Sequence, residues 1–261
     1  MDPVFGWIIL FTALGGVLSI IGAAVLLVLP QTLNARLLPR LVSFAIGALL
    51  GAAFLALIPH ALQSSDSVDV HKISGTILLG LLLFFLLEKM VIWRHCHSHD
   101  CEAHALDADK IHDLAAGELI LIGDGIHNLV DGVLIAAAFL TDIHLGVVTA
   151  LAVAAHEIPQ EVGDFAILLH GGMNKKRAFV YNMLSSLTSV IGGVIAYFWL
   201  STVQGILPYI LALAASSFIY IAVADLIPEL HKRVEAGATM QQAGLIAMGV
   251  ITIYLLHSTL H

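Results

Sequence analysis

Charge is what this sequence has least of. Asp, Glu, Lys and Arg together make up 11% of its 261 residues, where soluble domains carry about 25%. A soluble protein built around one apolar core is thereby excluded. Basic residues are the rarer kind, 11 against 19 acidic ones, and the formal net charge of −8 excludes nucleic acid as a partner. Cysteine is nearly absent. The two that occur, Cys96 and Cys101, sit among histidines in a polar stretch, so they read as reduced, metal-binding thiols rather than as a disulfide. What fills the chain instead is apolar: 59% of it is hydrophobic, in runs of about 20 residues, the length that crosses a hydrocarbon layer of about 30 Å. The first run, Trp7 to Leu29, has no basic segment before it and no small-residue cleavage pattern around Pro30 and Gln31. That marks a first membrane span rather than a signal peptide.

Apolar runs alternating with charged breaks predict an all-α integral membrane protein, one transmembrane domain over residues 1–261. Its eight transmembrane helices fall at about 5–29, 41–62, 73–93, 115–140, 145–170, 178–200, 207–228 and 241–259. Each run must be helical, because irregular backbone facing lipid would leave its N–H and C=O groups unpaired. Basic residues then set the orientation. The connections after the first, third, fifth and seventh spans hold Arg36 and Arg40; Lys89, Arg94 and Lys110; Lys175, Lys176 and Arg177; Lys232 and Arg233. The even-numbered connections hold only Lys72. Positive loops stay in the cytoplasm, so the N- and C-termini are both expected outside. A faint internal echo accompanies this: span two ends in Ile58-Pro59-His60 and span seven in Ile227-Pro228-Glu229, the kind of correspondence that transporter repeats leave.

Two spans break the apolar rule. Span four contains Asp124, His127, Asn128 and Asp131, and span five contains His156, Glu157, Gln160, Glu161 and Asp164. A charge at mid-membrane costs about 2.5–3.5 kcal/mol on insertion scales, so five carboxylates would cost roughly 12–17 kcal/mol together. Protons, mutual hydrogen bonds, water or a metal must compensate them. Spacing narrows the choice. Asp124, His127, Asn128 and Asp131 follow i, i+3, i+4, i+7 and share one helix stripe. His156 and Gln160 are an i, i+4 pair, beside a neighbouring row of Glu157, Glu161 and Asp164. Packed face to face, the two helices would bring imidazole nitrogen together with carboxylate and amide oxygen, a ligand mixture suited to zinc and other first-row divalent ions. Pro159, inside span five, frees the carbonyl of Ala155. Gly132 and Gly163, beside the cluster, permit close helix approach.

These residues match a known pattern. His127-Asn128-Leu129-Val130-Asp131-Gly132 resembles the HNxxDG signature of the ZIP metal transporters. The stretch His156-Glu157-Ile158-Pro159-Gln160-Glu161-Val162-Gly163-Asp164-Phe165 resembles the HEIPHEIGDF signature of one ZIP subgroup. The likeness runs along the whole chain. It implies uptake of zinc into the cytoplasm, with iron, manganese or cadmium as other cargo, through a two-metal site between spans four and five. It also implies an inverted repeat of spans 1–3 and 6–8. Carried over by position, His127, Asp131, His156 and Gln160 would form one metal site, and Asn128, Glu157 and Asp131 the adjoining one, with Asn182 contributing from span six. Asp124, Glu161 and Asp164 are further candidates. Gln160 departs from the subgroup's His, which weakens that ligand and leaves the preferred metal open.

The segment 94–112 carries His95, Cys96, His97, His99, Cys101 and His104. Such a tract binds metal through soft and borderline ligands and is expected to be a cytosolic capture loop. The rival reading is an intramembrane zinc metalloprotease of the HExxH type, in which two His on one helix face hold zinc and Glu is the base. Gln160 stands where its second His is needed. A proton-coupled carrier of an organic substrate leaves the His-Asn-Asp stripe unexplained, and metal efflux shares the chemistry in reverse. The partners expected are divalent ions and the lipid bilayer; a homodimer stays open. Compact size and short loops point to a bacterial inner membrane.

Overall fold

The structure, a computed structural model, describes residues 2–63, 69–95, 110–170, 172–231 and 235–260. Within these every long element is a helix and none is a strand. The first helix, α1 (Pro3–Val28), starts at Asp2, whose carboxylate accepts from the Val4 N–H at 3.0 Å and from the Tyr197 hydroxyl at 2.7 Å. After Pro30 the chain enters α2 (Gln31–Gly51), which begins well before the apolar run expected at 41–62. Pro39 lies inside it without ending it.

From there α2 passes through a widened π turn, Ala52–Leu57, into α3 (Ile58–Gln63). The same device recurs where α9 (Leu207–Tyr220) passes through a π turn, Ile221–Leu226, into α10 (Ile227–Leu230). In each, the N–H just before the proline donates five residues back, Ile58 to Ala53 and Ile227 to Ala222. A proline ring collides with the carbonyl four residues behind it, and the wider turn relieves that collision without stopping the helix. The Ile-Pro pairs seen in the sequence are the visible half of this device.

The remaining helices are α4 (Val70–His95), α5 (Lys110–Thr141), α6 (Ile143–His170), α7 (Lys175–Ser186), α8 (Thr188–Leu200) and α11 (Ala236–Leu260). Seven helical stretches among the described residues are long and apolar enough to cross a membrane. The eighth, α6, has 28 residues but is more polar, because His144, His156, Glu157, Gln160, Glu161 and Asp164 fall within it. It packs on α1, α5 and α2, and His156, Glu157 and Glu161 are buried there. Alanines line the core, among them Ala45, Ala48, Ala52, Ala53 and Ala56, Ala136 to Ala138, and Ala212, Ala214 and Ala215, and such small residues let membrane helices approach closely. Leucines and isoleucines face outward instead, for example Leu78, Leu79 and Leu82 on α4 and Ile191 and Ile195 on α8. In water this surface would be a liability; it suits lipid.

Where α5 crosses α8 the backbones touch. A Cβ on Gly132 would run into the Ser189 carbonyl and stand 2.9 Å from the Gly193 nitrogen, and one on Gly192 would meet the Leu129 carbonyl. Gly163 plays no such part, contrary to its expected role, since a Cβ there would meet nothing within 4 Å.

Candidate metal centre

Only Asp142 separates α5 from α6. Its side chain caps α6, accepting from the backbone N–H groups of His144 at 2.8 Å and Leu145 at 3.0 Å. So tight a corner folds the two helices into an antiparallel hairpin in which depth is counted from Asp142. His127 and Glu157 are equally far from it in sequence, as are Asn128 and His156, and Asp124 and Gln160. Groups on the two polar stripes therefore arrive level with one another.

Level groups do meet. His127 Nε2 lies 3.3 Å from His156 Nε2, 3.3 Å from Glu157 Oε1 and 3.7 Å from Asp131 Oδ2. His156 Nε2 lies 3.3 Å from Asp131 Oδ2 and 3.6 Å from Glu157 Oε1. Asp131, His156 and Glu157 are buried, and His127 keeps 26% of its side chain open. The His156 ring is oriented from behind: its Nδ1 lies 3.3 Å from the Ala152 carbonyl. A carbonyl can only accept, so a proton on Nδ1 would meet it and leave Nε2 free to face the cluster with its lone pair. Phe218 of α9 stands edge-on to the same ring, 6.3 Å between centroids. Neither oxygen of Asp131 or of Glu157 has an aligned hydrogen-bond donor, although both carboxylates are buried. Such groups need compensation. Four ligand atoms held tetrahedrally at zinc's usual 2.0–2.1 Å stand about 3.3–3.4 Å apart. Five of the six separations here run from 3.3 to 3.7 Å.

Below this cluster lies a second one. Asp124, Glu157 and Glu161 each bring a carboxylate oxygen within 4.8 Å of the others. Asn128 Nδ2 donates to Asp124 Oδ1 at 3.0 Å and to the Asp124 carbonyl at 3.2 Å, and Gln160 Nε2 reaches Asp124 Oδ1 at 3.4 Å. The resemblance grouped Gln160 with the two histidines and Glu157 with Asn128. In the structure the Glu157 carboxylate stands beside both imidazoles, while the Gln160 amide turns to Asp124. Two partners have no counterpart in the sequence argument: Ser185 donates to Asp124 Oδ2 and Ser186 to Glu161 Oε1. Both come from α7, where Asn182 is fully buried. Their signal was spacing, since Asn182, Ser185 and Ser186 are i, i+3 and i+4 on one face. Asp164 follows on α6, half-buried. Cys96, His97, His99, Cys101 and His104 lie outside the described residues, and of His95 only the backbone, at the end of α4, is described.

The family described as "ZIP Zinc transporter" matches residues 5–118 and 92–257. Zinc transporter zipt-7.1 of Caenorhabditis briggsae is 30% identical over 308 aligned positions, covering 95% of this chain and 78% of that protein. Zinc transporter ZIP13 of Pongo abelii is 29% identical over 254, covering 90% of this chain and 74% of its own. Zinc transporter ZIP10 of Danio rerio is 40% identical over 136, covering 49% of this chain but only 16% of that much longer protein. A family match along nearly the whole length, on a helical fold with a buried His-carboxylate cluster, leads to one conclusion: the chain belongs to the ZIP zinc transporter family.

Proposed function

We propose that this chain carries zinc across a membrane into the cytoplasm, through metal sites held between α5 and α6. The observation that bears the weight is the cluster of His127, Asp131, His156 and Glu157, whose spacing suits a tetrahedral dication. Asn128, Gln160 and Asn182 contribute to it or to the adjoining site. Iron(II), manganese(II) and cadmium are competing cargo, since ligand type ranks such ions without excluding any. All the groups come from one chain, so the site needs no second copy.

Direction follows from the basic residues gathered on one side, which put both termini outside and the segment 94–112 in the cytoplasm, on the exit side. The matching π turns before Ile58-Pro59 and Ile227-Pro228 support an inverted repeat of spans 1–3 and 6–8. The relatives compared come from animals and lend no support to a bacterial inner membrane, so the proposal is confined to a membrane. Nothing favours the protease reading: Gln160 replaces its second zinc ligand, and the Gln160 amide is hydrogen-bonded to Asp124.

Radioactive zinc uptake into proteoliposomes tests this. Wild-type protein should fill the vesicles, and His127→Ala or His156→Ala should remove most of the uptake while the protein still inserts. No uptake by the wild type above protein-free vesicles, or wild-type rates in both variants, would overturn it.

A further inference from the structure

The first turns of α2 carry charge that no acid answers. Arg36 and Arg40 stand one turn apart on one face of the helix, and such a like-charged pair is destabilising by itself. Among the described residues no carboxylate lies within 4.0 Å of either guanidinium. Both line a cavity of about 260 Å³ between α2 and α11, together with Pro39, Gln241, Gln242 and Leu245. The packing of the two helices explains why a cavity opens there. Farther along they press backbone to backbone: a Cβ on Gly47 would strike the Ile246 carbonyl, and one on Gly249 the Phe44 carbonyl. Toward the start of α2, longer side chains stand in place of glycine.

Arg40 is already aimed. With the Gln241 amide turned so that its oxygen faces the guanidinium, that oxygen accepts from Arg40 Nε at 3.1 Å and from Nη2 at 3.2 Å. A guanidinium has five N–H groups, so others remain for a second acceptor, and the planar fork fits phosphate bidentately. Depth selects the kind of phosphate. The helix begins at Gln31, well before the apolar run expected at 41–62. At about 1.5 Å per residue, Arg40 and Arg36 stand roughly 2–8 Å outside that run. The polar layer of a bilayer is about 5–7 Å thick on each side, so the two arginines lie at the level of lipid phosphates. Size agrees with this. The cavity is smaller than the roughly 300–1,000 Å³ of pockets that engulf a whole small molecule, as suits a headgroup whose tails stay in the bilayer.

We propose that Arg36, Arg40 and Gln241 form a seat for the phosphate of an anionic phospholipid, which bridges α2 and α11 at the edge of the membrane. Basic pockets between membrane helices take anionic headgroups on the cytoplasmic side, where such lipids are concentrated, and that is the side on which the basic connections put the start of α2. An occupied seat cancels the repulsion between the two arginines and ties the two helices together. It does not depend on what the chain carries.

The test is native mass spectrometry of the full chain released from micelles doped with phosphatidylglycerol, phosphatidylcholine or inorganic phosphate. Each guanidinium close to an anionic lipid surface is worth a factor of about five, so the wild type should retain phosphatidylglycerol roughly thirtyfold over phosphatidylcholine. Arg36→Gln combined with Arg40→Gln should lose that preference. Lys175→Gln combined with Lys176→Gln removes the same charge from exposed residues outside the cavity and should keep it. Equal retention of both lipids by the wild type, or an undiminished preference in the arginine variant, overturns the seat. So does an equal loss in the lysine variant, which would show diffuse attraction, or inorganic phosphate held as tightly as the lipid, which would show a site for a soluble anion. If the arginine variant fails to insert, the melting temperature of the wild type in mixed micelles decides. A rise with phosphatidylglycerol beyond that with phosphatidylcholine, saturating at one lipid per chain, supports the seat, and no difference refutes it. The outcome of zinc uptake bears on none of these results.

Discussion

Among single residues, Gln160 is the most instructive. It occupies the position where the resembling subgroup carries His, and its amide bonds Asp124 instead of facing the two imidazoles. Substituting Gln160→His would add a third imidazole to a neighbourhood that already holds two, and nitrogen is the better partner for zinc. The expected outcome is zinc held roughly tenfold more tightly and released more slowly, read by competition with a chelating dye and by vesicle uptake at saturating zinc. Unchanged affinity would mean that this position does not face the ion. The neighbouring serines mark the limit of what a sequence reveals about single side chains. Hydroxyls in membrane helices ordinarily bond a carbonyl of their own preceding turn, as Thr12 does to Ile8, Ser19 to Gly16 and Ser43 to Pro39. Their i, i+3, i+4 spacing with Asn182 puts Ser185 and Ser186 on one face, but only the packing of α7 on α5 and α6 turns that face toward carboxylates.

For the helices, the polar stripe of α5 was legible because i, i+3, i+4, i+7 spacing has one geometric meaning. The long apolar runs were legible for the same reason. Helix ends were not, and α2 shows why: Pro30 and Pro39 look like breakers, yet the helix starts right after one and runs through the other. Glycines were half legible. Gly132 and Gly163 look alike in sequence, but only Gly132 lies against another backbone, that of α8. Gly132→Ala should therefore destabilise by about 1–3 kcal/mol, the usual range for overpacking, and lower the melting temperature in detergent. Gly163→Ala should leave it within error. Equal effects would show that α5 and α8 can part without loss.

At the level of the whole molecule, the membrane and the proton both enter. Imidazoles and carboxylates hold a metal only when deprotonated, so acid competes with zinc for the cluster. Uptake should fall as the outer pH is lowered and recover when it is raised, with the loss partly reversed by more zinc. A rate flat between pH 5 and 8 would speak against His127 and His156 as ligands. Orientation has its own check. With Cys96 and Cys101 replaced by Ser, a cysteine at Thr202, after span six, should react with an impermeant thiol reagent from outside. One at Asn174, after span five, should react only once the membrane is opened. The reverse pattern would invert the direction of transport proposed here.

The corner at Asp142 works as a common zero from which both arms of the site are measured. One residue added to either arm between the corner and the cluster would swing that arm's ligands by about 100° and displace them by about 1.5 Å, so half the cluster would turn toward its neighbours or toward lipid. An added residue on the other arm cannot undo it, because each arm would then be wrong by the same angle. The hairpin is thus a gauge as much as a connection, and the lengths of its arms are as much a part of the metal chemistry as the imidazoles themselves.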